Sequence, residues 1–312
     1  MSQRTVKKRY LSFNQHLKDT FGEKVYKVTI DAGFTCPNRD GTRGVGGCIY
    51  CYGDRRTSQL ADCVSVQSQI QTGIAAIHKR YKAKKFLAYF QSYTNTYGPV
   101  DQLVRLYQAA LEIEGIVGLS IGTRPDCVGE EILEVLGAIA QKTYLWVEYG
   151  LQSVHDTTLT RIHRGHDFAT FLNAVDRTRK RENIKICAHV ILGLPGETKD
   201  DMIETANVLS ALNVDGVKIH SAHVLRHTQL AEMYARGEYQ VLELPEYLDI
   251  VCDFLEHLAP QMIIHRLVGD APRERYIAPE WCMQKSDVLR QIEKELERRN
   301  SFQGSRVNYG NL

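Results

Sequence analysis

At 312 residues, 43% hydrophobic and 24% charged, the chain has the make-up of a globular protein long enough to bury a core without staples. A formal net charge of +2 excludes a global electrostatic pull toward nucleic acid and leaves only local patches for that role. Eight cysteines without a secretory segment, and no apolar run near the roughly 18–20 residues that cross a bilayer, point to a reducing, cytoplasmic setting.

A basic segment, residues 1–21, comes first; its opening, Met1 to Tyr10, lacks the apolar centre of a signal peptide. Val25–Ile30 reads as a strand and opens a barrel unit assigned to residues 22–225, with a glycine-rich loop at 33–54. Val64–Tyr81 predicts a helix with Ile70, Ile74 and Ile77 on one face. Further strands are expected at Phe86–Phe90, Ile116–Ile121, Tyr144–Tyr149, Lys185–Leu192 and Val217–His220. Between them fall helices opened by Pro99, at Glu130–Ala140, from Asp156 to Arg181, and one capped by Thr198 with Asp201 three residues on. Parallel neighbours need helical crossovers, so the alternation predicts an α/β fold, a partial (β/α)6 barrel. Beyond Arg226 it weakens: Pro245–Leu258 reads as helix, Met262–Leu267 as strand and Asp287–Arg298 as amphipathic helix. Residues 226–300 are therefore taken as an α/β extension packed on the barrel, and 301–312 as a mobile tail.

Six strand ends carry polar or glycine-rich sequence, where α/β barrels keep their chemistry. The first leads to Cys36, Cys48 and Cys51, a C-x-x-C pair with a third cysteine twelve residues upstream. Thiolates grouped this way bind a soft metal or an iron–sulfur cluster, and three of them leave a position open for a reactant. A structural zinc site is the other reading, but it closes with four ligands in two short-spaced pairs, and no second such pair occurs. Later strands end in Gln91-Ser-Tyr-Thr-Asn95, Thr123-Arg-Pro-Asp126, Glu148-Tyr-Gly-Leu-Gln-Ser153, Gly193-Leu-Pro-Gly-Glu197 and His220-Ser-Ala-His223. Arg124 and Asp126 form either a turn with an ion pair or part of a site. Glu148 is a paired structural carboxylate or a cofactor contact, and His189 a satisfied core histidine or a group facing substrate. Cys63, Cys127, Cys187, Cys252 and Cys282 read as packing residues. Basic runs at 78–85 and 177–181 are solvated helix ends or phosphate contacts for RNA.

A glycine-rich three-cysteine loop after the first strand of such a barrel resembles the radical S-adenosylmethionine (SAM) enzymes. Thr123–Asp126, Val147–Ser153, Arg161–His166 and Val224–Thr228 resemble the radical SAM domain of the Elongator catalytic subunit. The whole, with Met262–Arg266, resembles the bacterial YhcC-type branch of that group over nearly all of residues 20–300. The resemblance implies that Cys36, Cys48 and Cys51 hold a 4Fe–4S cluster whose fourth iron binds SAM. One electron then cleaves SAM to methionine and a 5′-deoxyadenosyl radical, drawn from a donor such as flavodoxin or ferredoxin. The resemblance also implies that Gln152 meets the SAM ribose, Arg164 its carboxylate, and the backbone from Gly193 its adenine. Relatives end the second strand in a glycine pair and an acid; here Gln91, Ser92 and Thr94 stand in that place, and Arg124 joins as a further candidate contact. For substrate it implies tRNA, with carboxymethylaminomethyluridine at the wobble position matured toward aminomethyluridine. The alternatives are a small-molecule substrate, as in coproporphyrinogen-oxidase-like relatives, and a non-catalytic metal-bearing RNA-binding protein. The six strand-end motifs weigh against the second of these.

Overall fold

Short apolar strands alternate with helices through the part of the chain that the computed structural model describes, residues 8–52 and 65–307. Residues 1–7, 53–64 and 308–312 lie outside it, and with them Cys63 and the last two positions of the glycine-rich loop. The first half runs α1 (Phe13–Phe21), β1 (Val25–Ile30), α2 (Val66–Tyr81), β2 (Lys85–Phe90), α3 (Val100–Leu111), β3 (Ile116–Thr123), α4 (Glu130–Ala140) and β4 (Tyr144–Gln152). Then come α5 (Asp156–Arg161), α6 (Phe168–Arg179), β5 (Ile184–Leu192), α7 (Lys199–Leu212) and β6 (Gly216–Ser221). The last part holds β7 (Val224–Leu225), α8 (Gln229–Ala235), α9 (Leu244–His257), β8 (Ile263–Arg266), β9 (Tyr276–Ala278) and α10 (Lys285–Arg298).

Seven strands form one sheet in the order β1-β2-β3-β4-β5-β6-β8, every neighbouring pair parallel. The sheet curls into a half-barrel, as the alternation predicts, with one strand more than six. That strand, β8, comes from the stretch assigned to the extension and pairs with β6. Four residues hold too few alternations to be placed in a sheet from sequence alone. The helical material expected from Asp156 to Arg181 is divided between two helices, with Gly165, at φ +73°, in the turn between them. Thr198 and Asp201 close the expected capping box on α7.

Side chains alternate across each strand, so the sheet has two buried faces. Outward residues such as Ile30, Phe90, Ile121, Val147 and Val190 pack under the helices in the main core. At the N-terminal ends of the strands, Val25, Leu87, Trp146 and Cys187 form a cluster with Phe13 and Leu17 of α1. The Phe13 ring stacks 4.0 Å from His265 and meets Trp146 edge-on at 5.7 Å. Helix α1 thus closes that end of the barrel, a role hidden in the segment read as merely basic.

The tail is not loose as far as Val307. Ser301 and Gln303 are buried, and Gln303 donates to the carbonyls of Ala259 and Met262 at 2.7 and 2.8 Å. It also accepts from the Leu11 amide at 2.9 Å, while Arg9 donates to the Ser301 carbonyl at 3.0 Å. Leu11 in turn accepts from the Ile264 amide at 2.8 Å, beside the outer edge of β8.

Candidate active site

The cysteine loop leaves β1 and brings Cys36, Cys48 and Cys51 to the wall of one cavity of about 370 Å³. Local turns shape it: the Cys36 carbonyl accepts from the Arg39 amide at 2.8 Å, and the Cys48 carbonyl from the Cys51 amide at 2.9 Å. Donors are aimed at the sulfurs. Asn38 Nδ2 lies 3.6 Å from Cys48 Sγ, Arg39 Nη1 3.6 Å from Cys51 Sγ, and Arg164 Nη1 3.7 Å from Cys48 Sγ. Such donors suit sulfurs that carry negative charge on iron. Burial, then the neighbouring Cys48 sulfur, pushes the Cys51 thiol up to about 11, so the free group keeps its proton until iron displaces it. The residues present fit a 4Fe–4S cluster.

Arg124 and Asp126 make the ion pair the sequence allowed, and Arg124 also lines the cavity. Arg124 Nε and Nη2 hold the carboxylate at 2.8 and 2.9 Å, while Nη1 donates to the Arg164 carbonyl at 2.9 Å. It thereby clamps the turn that carries Arg164. The Arg164 guanidinium donates to the Gly150 carbonyl through Nε at 3.2 Å and through Nη2 at 2.5 Å. A Cβ at position 150 would stand 2.5 Å from that Nη2, so glycine makes the seat. Gln152 follows at a bulge with φ +82°, a strained conformation that re-aims the end of β4.

Gln91, Ser92, Thr94, Arg124, Gln152 and Arg164 all line the cavity with the cysteines. Gly193 does not. Its carbonyl accepts from the Tyr239 hydroxyl at 2.8 Å, and a Cβ there would meet Leu242 at 2.8 Å. Its neighbour Leu194 instead faces a side chamber of about 150 Å³, with Tyr50, Ile191, Ser221 and Ala222.

Inside the barrel the inward side chains are charged. Glu148 is fully buried; it takes Lys27 Nζ at 2.6 Å, His189 Nε2 at 2.7 Å, Lys218 Nζ at 2.9 Å and the Ser120 hydroxyl. Burial alone would raise its pKa, but Lys218 and Lys27 outweigh that and hold it well below the usual carboxylate range. Lys218 also meets the Tyr89 hydroxyl, and burial lowers its pKa to about 8. Glu148 and His189 are thus paired groups that also line the cavity. Sequence reasoning gave no role to Asn38, Arg39, Lys27 or Lys218. A signal existed for the lysines: each is a lone charge in a short apolar strand.

The buried imidazoles make the fold acid-labile. Burial, chiefly, pushes His189 and His223 down to about 4 and His265 to about 3. They stay neutral in the fold but take up protons once unfolded below about pH 6.5. The unfolded chain then binds more protons, so stability falls with pH from about 6.5 toward about 4, by up to about 1.4 kcal/mol per pH unit per group. Glu148, with its depressed pKa, acts in the same direction at the acid end. Urea midpoints measured across that window should drop steeply, and His189→Asn should flatten the slope by one group; an unchanged slope would refute the assignment.

The radical SAM superfamily pattern matches residues 36–209, and the pattern for the radical SAM C-terminal domain matches residues 214–298. The chain is 43% identical to YtqA of Bacillus subtilis over 303 residues, 96% of this chain and 93% of that one. It is 36% identical to YhcC of Escherichia coli K12 over 294 residues, 94% of each. A tRNA uridine(34) acetyltransferase of Methanocaldococcus jannaschii matches at 30% over 161 residues, 50% of this chain and 29% of that protein. Elp3 of Methanocaldococcus infernus superposes with a TM-score of 0.69 at 18% identity, covering 89% of this chain and 64% of that structure, a likeness of fold. Among the described residues no helix is long and apolar enough to cross a membrane. The superfamily pattern spans more than half of the chain and the bacterial relatives nearly all of it, so this chain is a radical SAM enzyme of the YhcC-type branch.

Proposed function

We propose that the protein converts carboxymethylaminomethyluridine at the wobble position of tRNA to aminomethyluridine, with SAM as the net two-electron oxidant of the carboxymethyl methylene and water releasing its two carbons as glyoxylate by hydrolysis of the resulting imine. The observation that carries this reading is the single cavity in which three cluster-binding thiols share a wall with a polar, charged floor. The partial match to an enzyme named for uridine 34 of tRNA supports the choice of substrate.

The cofactors are those of the superfamily, a 4Fe–4S cluster and SAM. When bound, they supply reductive cleavage of SAM to methionine and a hydrogen-abstracting 5′-deoxyadenosyl radical. The chain's own residues bind and orient. Cys36, Cys48 and Cys51 hold the cluster, and Asn38, Arg39 and Arg164 place N–H groups on the sulfurs. Gln91, Ser92 and Thr94 offer an amide and hydroxyls to the SAM amino group, and Gln152 an amide to its ribose. Arg164, its backbone held by the Arg124–Asp126 clamp and its guanidinium set between the Gly150 carbonyl and the Cys48 sulfur, places a cation where the SAM carboxylate would lie. The Tyr50–Leu194 chamber gives flat apolar walls for adenine. The setting is cytoplasmic, with an electron donor of the flavodoxin or ferredoxin type.

Of the two basic runs, that at 177–181 is partly neutralised at the surface, where Arg177 and Arg181 share Glu130 at 2.6 and 2.5 Å. The run at 78–85 presents Lys79, Arg80, Lys82 and Lys84 at the surface, cations available for RNA phosphates.

The test uses tRNA from cells lacking this protein, incubated anaerobically with the reconstituted enzyme, SAM and reductant. Nucleoside mass spectrometry should show carboxymethylaminomethyluridine falling as aminomethyluridine rises. Unchanged tRNA from an enzyme that still cleaves SAM would sink the tRNA reading and favour a small-molecule substrate.

A further inference from the structure

The floor of the cavity holds more positive charge than its acids balance. Glu148 is shared between the ammonium groups of Lys27 and Lys218, at 2.6 and 2.9 Å, which leaves one charge over. Arg266, at the end of β8, adds a second and also lines the cavity. Its nearest acid, Asp270, is exposed and 3.5 Å away. Arg266 Nη2 lies against the His220 ring, 2.7 Å from Nδ1, and its buried Nε has no hydrogen-bond partner among the described residues. The His189 and His220 rings, 5.9 Å apart, complete this wall. Two lysines sharing one buried carboxylate, and a guanidinium whose counter-charge is exposed at 3.5 Å, are under-compensated, and a guanidinium N–H left idle adds to that. An anion entering here would relieve both.

We propose that Lys218 and Arg266 form a carboxylate subsite for the substrate, flanked by His189 and His220. The subsite stands on the geometry; only the source of the carboxylate, the carboxymethyl group of the modified uridine, rests on the tRNA reading. SAM carries a carboxylate too, but Arg164 already sits among the thiols, whereas Lys218 and Arg266 belong to β6 and β8. A carboxylate gripped at two points fixes the adjacent methylene in the cavity, the positioning that hydrogen abstraction needs.

The experiment is a binding competition on the holoenzyme, loaded with cluster and SAM. One probe is an anticodon stem-loop carrying carboxymethylaminomethyluridine, and the other is the same stem-loop with the carboxylate converted to a carboxamide. The wild type should prefer the carboxylate by on the order of tenfold, the scale of charge-assisted bonds. Arg266→Gln and Lys218→Met should bring the ratio close to one. Arg266 lies at the edge strand, so Arg266→Gln keeps the test open should Lys218→Met not fold. No preference in the wild type would overturn the subsite, whereas no binding of either probe would overturn the tRNA reading, and the free carboxymethylaminomethyluridine nucleoside against its carboxamide would then decide the subsite by the same ratio. A preserved ratio with weakened SAM binding in the variants would overturn it in favour of a SAM-carboxylate role. Preference for the carboxylate without conversion would uphold the subsite and overturn the proposed reaction; conversion without preference would do the reverse.

Discussion

Replacing Cys48 with serine should reduce SAM cleavage to the level of a no-enzyme control. Cys48 is buried and takes donors from both Asn38 and Arg164, so it is held more tightly than a loop thiol by chance. A serine hydroxyl is a poor ligand for iron at neutral pH, whereas the thiolate is a soft one. Anaerobic reconstitution of Cys48→Ser should yield a lower iron content, and added dithionite and SAM should give no 5′-deoxyadenosine. Asn38→Ala and Arg39→Ala should fall between, at about 10–100-fold, the usual effect of removing an outer partner of a metal ligand. A Cys48→Ser protein that retained wild-type iron and cleavage would remove this thiol from the ligand set.

Glu148→Gln should be the most damaging single change to the fold. It keeps size and shape but withdraws the one buried acid facing Lys27 and Lys218. Breaking a buried pair from one side costs about 3–5 kcal/mol, because the partner charge is stranded. For a chain of this length that is a fall in Tm on the order of 10 °C. Lys218 then sheds its proton more easily, since burial already lowers its pKa to about 8 and its counter-charge is gone. The double variant Glu148→Gln/Lys218→Met should recover part of the loss, because the stranded charge goes with it. Thermal melts of the three proteins decide the matter. Additive losses in the double variant would mean that the pair is not coupled.

The parallel architecture was legible because each βα unit announces itself locally, in a short apolar run, a cap such as Thr198 and a helical stripe. The cavity's upper wall was legible as well, since Gln91, Arg124 and Gln152 each follow a strand, and strand ends converge in such folds. What escaped the sequence depends on contacts across the chain. Glu130 neutralises Arg177 from 47 residues away, so the basic run looked freer than it is. Lys27 and Glu148 meet across 121 residues, and neither strand alone says that the other's charge exists. Helix α1 buries only Phe13 and Leu17, too little pattern to reveal that it seals the barrel. Gly193 was placed on the wall by family likeness, but its positive φ turns the chain so that Leu194 faces the chamber instead.

The ties between residues 9–11 and 301–303 join points 292 positions apart in the chain. Contacts of that span are the slowest kind to form, because the whole intervening polymer must first be ordered. Until residue 303 has left the ribosome, Leu11 lacks its glutamine partner and the outer backbone edge of β8 is imperfectly shielded. A bare parallel edge is a template for pairing with another chain. The outer edge of β8 is therefore the part of the sheet left open longest, closed only when residues 301–303 reach Leu11.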